Sequence, residues 1–357
     1  MKNILFAGAL AMAGTLFGTR LLIAFLVRKS YGQFIRDDGP TTHHTKRGTP
    51  TMGGLGIITA AVFGYLMAHL ATWSPPSASA LLLIYLFVGL GFVGFLDDWT
   101  KISQQRSLGL NARAKLTLQA LIGASFAWLS LTQFKDFRGN HPASAYISAL
   151  RDIDWLKLPL VLGIFWIMLL IAAASNAVNL TDGLDGLATG ASTMVFAAYA
   201  LLNMWQRNQW CGSSNTSGPL CYEVRNPQDL AVISMALTGA CFGFLWWNAK
   251  PAKIFMGDTG SLAIGGAVAG LAIFTRTELL LVLIGGLFVI ITLSVILQVG
   301  YFKLTKGKRL FRMAPLQHHF EILGWPEENI VIRFWIICGL FVASGLGLFY
   351  AEWVAQL

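Results

Sequence analysis

Ten apolar runs, separated by short polar intervals, set the pattern of this chain: residues 3–27, 52–73, 78–96, 114–134, 158–176, 184–204, 229–247, 259–275, 278–302 and 331–352. A hydrocarbon core about 30 Å thick needs about 20 apolar residues per helix, so each run is predicted to cross a bilayer as a helix. The pattern predicts an all-α, polytopic integral membrane protein with about ten transmembrane helices. No Gly/Ser or Pro linker and no fixed repeat divides it, so residues 1–357 read as a single transmembrane domain. The first run follows Lys2 and contains Ala9, Ala11 and Ala13, as a secretory leader would. Its apolar part continues past Arg20 to Val27, which favours a first span over a cleaved leader. The ninth run carries Gly285-Gly286, a pair that permits bending or breaking of the helix.

Composition agrees. Hydrophobic residues make up 55% and charged residues 12%, with a mean hydropathy of +0.61, outside the range of a soluble domain of this size. Of the 26 Lys and Arg residues, 17 fall on one alternate set of connections: 28–51, 97–113 with Lys115, 248–258 and 303–330 with Arg333. The positive-inside rule makes these connections cytoplasmic and both termini periplasmic. The formal net charge of +9 then reflects topology and attraction to anionic headgroups or substrate. The basic residues form no stripe, which argues against nucleic acid. Cys241 and Cys338 fall within spans as packing residues. Cys211 and Cys221 share an outer connection, where an oxidising compartment would permit a bridge. The glycines of VGLGFVG (Gly89, Gly91, Gly94) lie within a span after no strand, so they read as helix packing and not as a dinucleotide fingerprint.

Against this apolar background the acids stand out. Asp97-Asp98 follow GFVGFL, Asp182 and Asp185 lie in NAVNLTDGLDGL, and Asp258 ends FMGD. A carboxylate at the centre of a spanning helix costs about 2.5–3.5 kcal/mol, so acids converging on one membrane face point to a cation or a charged ligand. All five map to the positively charged side. Asp97 and Asp98 diverge by about 100° on a helix, one toward a ligand and one toward water or a basic partner; a solvated helix end followed by Lys101 is the alternative. Asp182 and Asp185 are one turn apart, with Asn179 one turn earlier, and either bind a ligand or cap the next helix. Oxygen ligands of this kind suit Mg²⁺, completed by water and substrate phosphates. The spacing does not fit an EF-hand, and the pairs His43-His44 and His318-His319 lack the i, i+4 spacing of a zinc site. Lys46, Arg47, Lys115 and the His318-His319 pair share the acids' side, and the mixture fits a pyrophosphate–metal site better than a cation channel. A transporter would hold its ionisable groups near span centres, whereas these lie at span ends.

Five segments carry a resemblance: TPTMGG (49–54), GFLDDWTK (94–101), SNAVNLTDGLDGLA (175–188), GFLWWNAKPAKIFMGDTGS (243–261) and KRLFRMAPLQHHFEILGWPE (308–327). In these the chain resembles the polyprenyl-phosphate hexose-1-phosphate transferases, and in its last loop the branch acting on UDP-MurNAc-pentapeptide. That branch usually shows three consecutive histidines where this chain has Gln317, His318 and His319. Gln317 hydrogen-bonds but carries no charge near neutral pH. The resemblance implies a Mg²⁺-dependent enzyme of the bacterial inner (cytoplasmic) membrane, with its active site on the cytoplasmic face. It implies transfer of phospho-MurNAc-pentapeptide to undecaprenyl phosphate, giving lipid I and UMP for peptidoglycan synthesis. The alternative is a UDP-GlcNAc:polyprenyl-phosphate transferase. It assigns Asp97, Asp98, Asp258, Lys115 and His318 to catalysis, with Asp258 and Asp182 as metal ligands and Lys115 neutralising phosphate. Lys46 and Thr51 are substrate-site residues, Asn176, Asn179, Asp182 and Asp185 the nucleotide region, and Asn248 and Phe255 the uridine side. Gln317 and His319 belong to a loop closing over the sugar-peptide. It also implies a homodimer.

Overall fold

The computed structural model describes residues 1–29, 48–106, 108–136, 138–212 and 220–355. Of the described residues 72% are helical, and ten helices among them are long and apolar enough to cross a membrane. They are α1 (Lys2–Arg28), α2 (Gly54–Thr72), α3 (Ala78–Ser103), α4 (Ala112–Thr132), α5 (Leu160–Thr181), α6 (Leu187–Asn208), α7 (Pro227–Asn248), α8 (Gly257–Phe274), α10 (Gly286–Leu304) and α12 (Glu327–Ala355). The short helices α9 (Leu281–Ile284) and α11 (Leu316–Ile322) complete the helical set. Nine of the ten apolar runs form single helices; the ninth breaks at Gly285 into α9 and α10. A Cβ at Gly286 would lie 2.4 Å from the Phe341 ring, so the start of α10 sits tightly against α12.

Burial follows the content of small residues. Every residue of α8 from Thr259 to Phe274 is buried, and Gly, Ala and Ser dominate the helix. Small side chains let neighbouring backbones approach closely, which is how helices associate where lipid offers no hydrophobic drive. Around α8 lie α3, α5 and α2, while α7 packs between α1 and α6. Large apolar side chains on the outer helices point away from the protein, Phe17 at 70% exposure, Leu21 at 74% and Leu340 at 65%. A continuous apolar surface of this kind fits contact with lipid and not with water.

At the end of the bundle opposite the acids, the connection between α4 and α5 contains a two-stranded antiparallel sheet, β1 (Tyr146–Ser148) and β2 (Asp152–Lys157). Arg151, in its turn, donates to Glu352 Oε1 at 2.9 Å and to the carbonyls of Cys221 at 2.8 Å and Leu220 at 2.9 Å. Cys211 and Cys221 are bridged, and Cys241 and Cys338 are buried free thiols. Glu278, in the turn after α8, accepts from Ser148 N at 3.1 Å and from Trp166 Nε1 of α5 at 3.0 Å. Burial pushes its carboxyl up to about 7 from an ordinary 4.5, against these two hydrogen bonds.

The pH dependence follows from that shift. A native-state pKa above the unfolded value means the folded protein holds the proton more tightly. The stabilisation is therefore complete below about pH 4.5 and is lost as the pH rises to about 7. Glu278→Gln, which keeps both acceptor bonds but cannot ionise, removes this dependence. Thermal unfolding in detergent should show the Glu278→Gln variant gaining on wild type as pH rises through that interval, with no further gain above it.

Candidate active site

The acids meet because two helices touch end to side. A Cβ at Gly94 of α3 would lie 2.0 Å from the Asp258 carbonyl, so only glycine admits the first turn of α8 there. One turn on, Asp98 fits over the start of α8. Its Oδ1 accepts from Asp258 N at 3.2 Å, and its Oδ2 from Thr259 N at 2.9 Å and Thr259 Oγ1 at 2.7 Å. A helix N-terminus has unsatisfied N–H groups and a partial positive charge, and a carboxylate answers both. Gly257, at φ +71°, makes the turn into α8 beneath Asp98 and beside Thr51 Oγ1. Thr51 is buried there, in a stretch whose Gly53 and Gly54 amides donate to the carbonyls of Phe255 and Met256.

Asp258 itself projects from the first turn of α8 into a ring of donors. Asn179 Nδ2 donates to its Oδ1 at 3.0 Å and to Ser261 Oγ at 3.0 Å. Lys115, from α4, is bonded to its Oδ2. Asp97 accepts from Leu110 N at 3.0 Å, and its Oδ1 lies 3.9 Å from Lys115 Nζ. One oxygen from each of Asp97, Asp98 and Asp258 can be chosen so that all three lie within 4.8 Å of one another. Three oxygen donors so close, two of them buried, fit a hard divalent cation that keeps its remaining positions for water and phosphate. Residues of α3, α4, α5 and α8 thus form one network.

Asp182, the C-cap of α5, does not belong to that group of three. Burial, with repulsion from Asp258, Asp98 and Asp185, pushes its carboxyl up to about 8. Without an added cation it is therefore largely protonated near neutral pH. Asp185 is buried, with its N–H on Glu327 Oε1 at 3.0 Å and its Oδ2 accepting from Ala252 N at 3.1 Å. Asn248 accepts from Thr189 at 2.7 Å and donates to the Ile254 carbonyl at 3.0 Å, so its amide holds the 249–256 turn from which Phe255 projects, half-buried. Gln317 and His318 pack on Gly183, where a Cβ would come within 3 Å of both. Gln317 donates to the Leu180 carbonyl at 2.9 Å, while its buried Oε1 has no partner. His318 Nδ1 meets Glu321 Oε2 at 2.5 Å. His319 stands edge-on to Phe311 and Phe320 and accepts from Arg312 N. Asn176 turns back to its own helix, donating to Ala172 O at 2.7 Å. Lys46 lies outside the described residues.

Asp97 and Asp98 do not part toward separate surroundings: neither faces water, and both meet the same basic partner. Lys101 Nζ lies 2.7 Å from Asp97, 3.4 Å from Asp98 and 3.3 Å from Asp258. Sequence reasoning missed its role because the apolar run ends at Leu96, whereas α3 continues to Ser103. Continued to Lys101, the helix puts that residue one turn beyond both acids, at i+4 and i+3, and that spacing was the available signal.

An enclosed acid–lysine cluster at one end of a polytopic helical bundle defines a membrane enzyme acting on charged substrates. The model of glycosyl transferase family 4 matches residues 77–276, which span α3 to α8 and carry the whole acid–lysine network. The chain is 66% identical to the phospho-N-acetylmuramoyl-pentapeptide-transferase of Cutibacterium acnes, over 99% of each chain. It is 62% identical to that of Nocardioides sp. over the full length of both. Against that of Streptomyces avermitilis it is 59% identical, over 100% of this chain and 99% of the relative. The chain belongs to glycosyl transferase family 4 and, within it, to the phospho-N-acetylmuramoyl-pentapeptide-transferases.

Gly94→Ala tests the close approach that builds the site. The added methyl has no room against the Asp258 carbonyl, and overpacking of this kind costs about 1–3 kcal/mol. A lowered unfolding midpoint in detergent, larger than that for Gly89→Ala at a looser contact on the same helix (nearest atom 3.1 Å), is the expected result.

Proposed function

We propose that this protein transfers phospho-MurNAc-pentapeptide from its UDP carrier to undecaprenyl phosphate, releasing UMP and leaving lipid I in the membrane. The observation that carries the reading is the meeting of Asp97, Asp98 and Asp258 with Lys115 at the mouth of an apolar bundle, in a chain matching transferases of that name along its whole length. Asp97, Asp98 and Asp258 would hold Mg²⁺, which when bound withdraws charge from a diphosphate. Lys115 neutralises phosphate beside them, Asn179 fixes the Asp258 carboxylate, and Phe255 offers a ring face to the uracil. Asp182, outside that group of three, would border the bound cation without entering the ligand set. Lys46 is a substrate-site residue by the resemblance alone, Thr51 stands beside Gly257 and Asp98, and Gln317 and His318 border the pocket against Gly183, with His319 next to them in the same loop.

An oxygen of the lipid phosphate attacks the sugar-bound phosphorus directly, and the phosphoanhydride bond to UMP breaks as the new one forms. A phosphate monoester with a second pKa near 6 is largely dianionic at neutral pH and needs no strong base. The engagement of Asp98 by the α8 amides, and of Asp97 by Leu110 N and Lys101, supports direct attack over a phosphoryl-aspartate. One phosphoanhydride replaces another, so positioning and charge neutralisation carry the rate. The single domain works from the cytoplasmic side of the inner membrane, with both termini outside. The Cys211–Cys221 bridge at the opposite end supports that orientation, since disulfides persist in oxidising compartments. The break at Gly285 leaves α10 with exposed Leu293, Ile296 and Leu297 along which the prenyl chain runs within the bilayer. A homodimer is consistent with the family.

Purified protein incubated with Mg²⁺, undecaprenyl phosphate and each UDP-sugar tests the reading. UMP should form with UDP-MurNAc-pentapeptide; formation with UDP-GlcNAc alone would establish the alternative substrate. Asp258→Asn and Lys115→Gln should each lower the rate by about 10²-fold or more, the scale of losing one charge-stabilising group. A burst of UMP equal to enzyme, without lipid acceptor, would contradict direct attack.

A further inference from the structure

We propose that Lys101 is a built-in stand-in for the metal: its ammonium holds the three carboxylates together in the metal-free protein and must leave that position before a divalent cation can bind. The inference rests on the metal-site reading above. Its geometric basis is that Lys101 Nζ reaches one oxygen of each carboxylate, at 2.7, 3.4 and 3.3 Å. These three residues form the metal-competent group found among the described residues. Lys115, by contrast, approaches from the side, bonded to Asp258 and 3.9 Å from Asp97. The two lysines are therefore not equivalent.

Charge decides between addition and exchange. Three carboxylates and two ammoniums carry a formal charge of −1, and a dication added to all five would leave +1 in a buried site. Exchange for Lys101 leaves the cluster neutral, the arrangement that costs least to bury. A lysine suits this use. Its ammonium is a compact point charge on a flexible four-carbon stem, so it can vacate one position and remain within reach of neighbouring phosphate oxygens. Its side chain keeps 28% exposure, against 4% for Asp97 and 2% for Asp98, which gives it a direction in which to move. Lys101 is thus a positioning residue: in the empty enzyme it prevents three like charges from separating, and on loading it is handed toward the diphosphate.

Mn²⁺ binding to the full-length protein in detergent, followed by electron paramagnetic resonance with no substrate present, tests the exchange. Lys101→Gln and Lys101→Met should bind Mn²⁺ about tenfold more tightly than wild type, within the usual range for one occupant affecting another. Lys101→Arg, which keeps the competing charge, should remain as weak as wild type or weaker. The same Gln and Met variants should melt below wild type in chelator and gain more than wild type when Mn²⁺ is added, a pattern that simple loss of packing would not give. Equal or weaker Mn²⁺ affinity in the Gln and Met variants, or tightening in the Arg variant as well, would overturn the exchange while leaving the metal site standing. Failure of wild type and of all three variants to take up Mn²⁺ would overturn the metal-site reading itself.

Discussion

The site depends on the carboxylate of one helix closing the N-terminus of another. Asp98 of α3 accepts the first amides of α8, and Gly94 lets the two backbones come close enough for it to do so. Hydrogen bonds to a charged group contribute about 1.5–3 kcal/mol each, and the amides would otherwise be left unpaired at a buried helix end. Asp258 sits in that same first turn, so fixing the start of α8 also aims the Asp258 side chain at Asp97, Lys101 and Lys115. The partial positive charge of the helix terminus and the two ammoniums together make three neighbouring carboxylates tolerable in an apolar bundle.

Much of this was legible in the chain. The apolar runs place all ten spans, and the position of the acids at run ends brings Asp97, Asp98 and Asp258 to one face. Small residues foretell that α8 is central. What hydropathy cannot see is how far a helix runs past its apolar part: α3 continues seven residues beyond Leu96, and the continuation carries Lys101 back onto the acids. Nor does it distinguish residues that face a ligand from those that hold the walls. Asn248 and Asp185 both spend their polar atoms on backbone groups of the 249–256 turn and on Thr189 and Glu327. The β1–β2 sheet escaped notice because its strands are short and its turn residue, Arg151, serves long-range contacts. The Gly285-Gly286 pair did signal a break, because only there does the ninth run combine backbone freedom with a tight helix contact.

The two ends of the bundle use polar residues differently. At one end Arg151, Glu278 and a disulfide bind the sheet, the α6–α7 connection and the end of α12 into a closed cap. At the other, the charges are held by single carboxylates and amines whose partners can be exchanged. That division is expected of an enzyme that must stay folded in a bilayer while admitting a soluble nucleotide on one side. It also explains why the site acids lie at helix ends, where a loop can open, and not at the bilayer midplane.

The central claim is that Asp97, Asp98 and Asp258 surround one cation, and anomalous diffraction from crystals soaked in Mn²⁺ tests it most directly. A single strong peak within bonding distance of Asp258 and between it and the Asp97-Asp98 pair is the expected result. A peak held by Asp185 and the 249–256 turn, with the three acids still clasping Lys101, would contradict it.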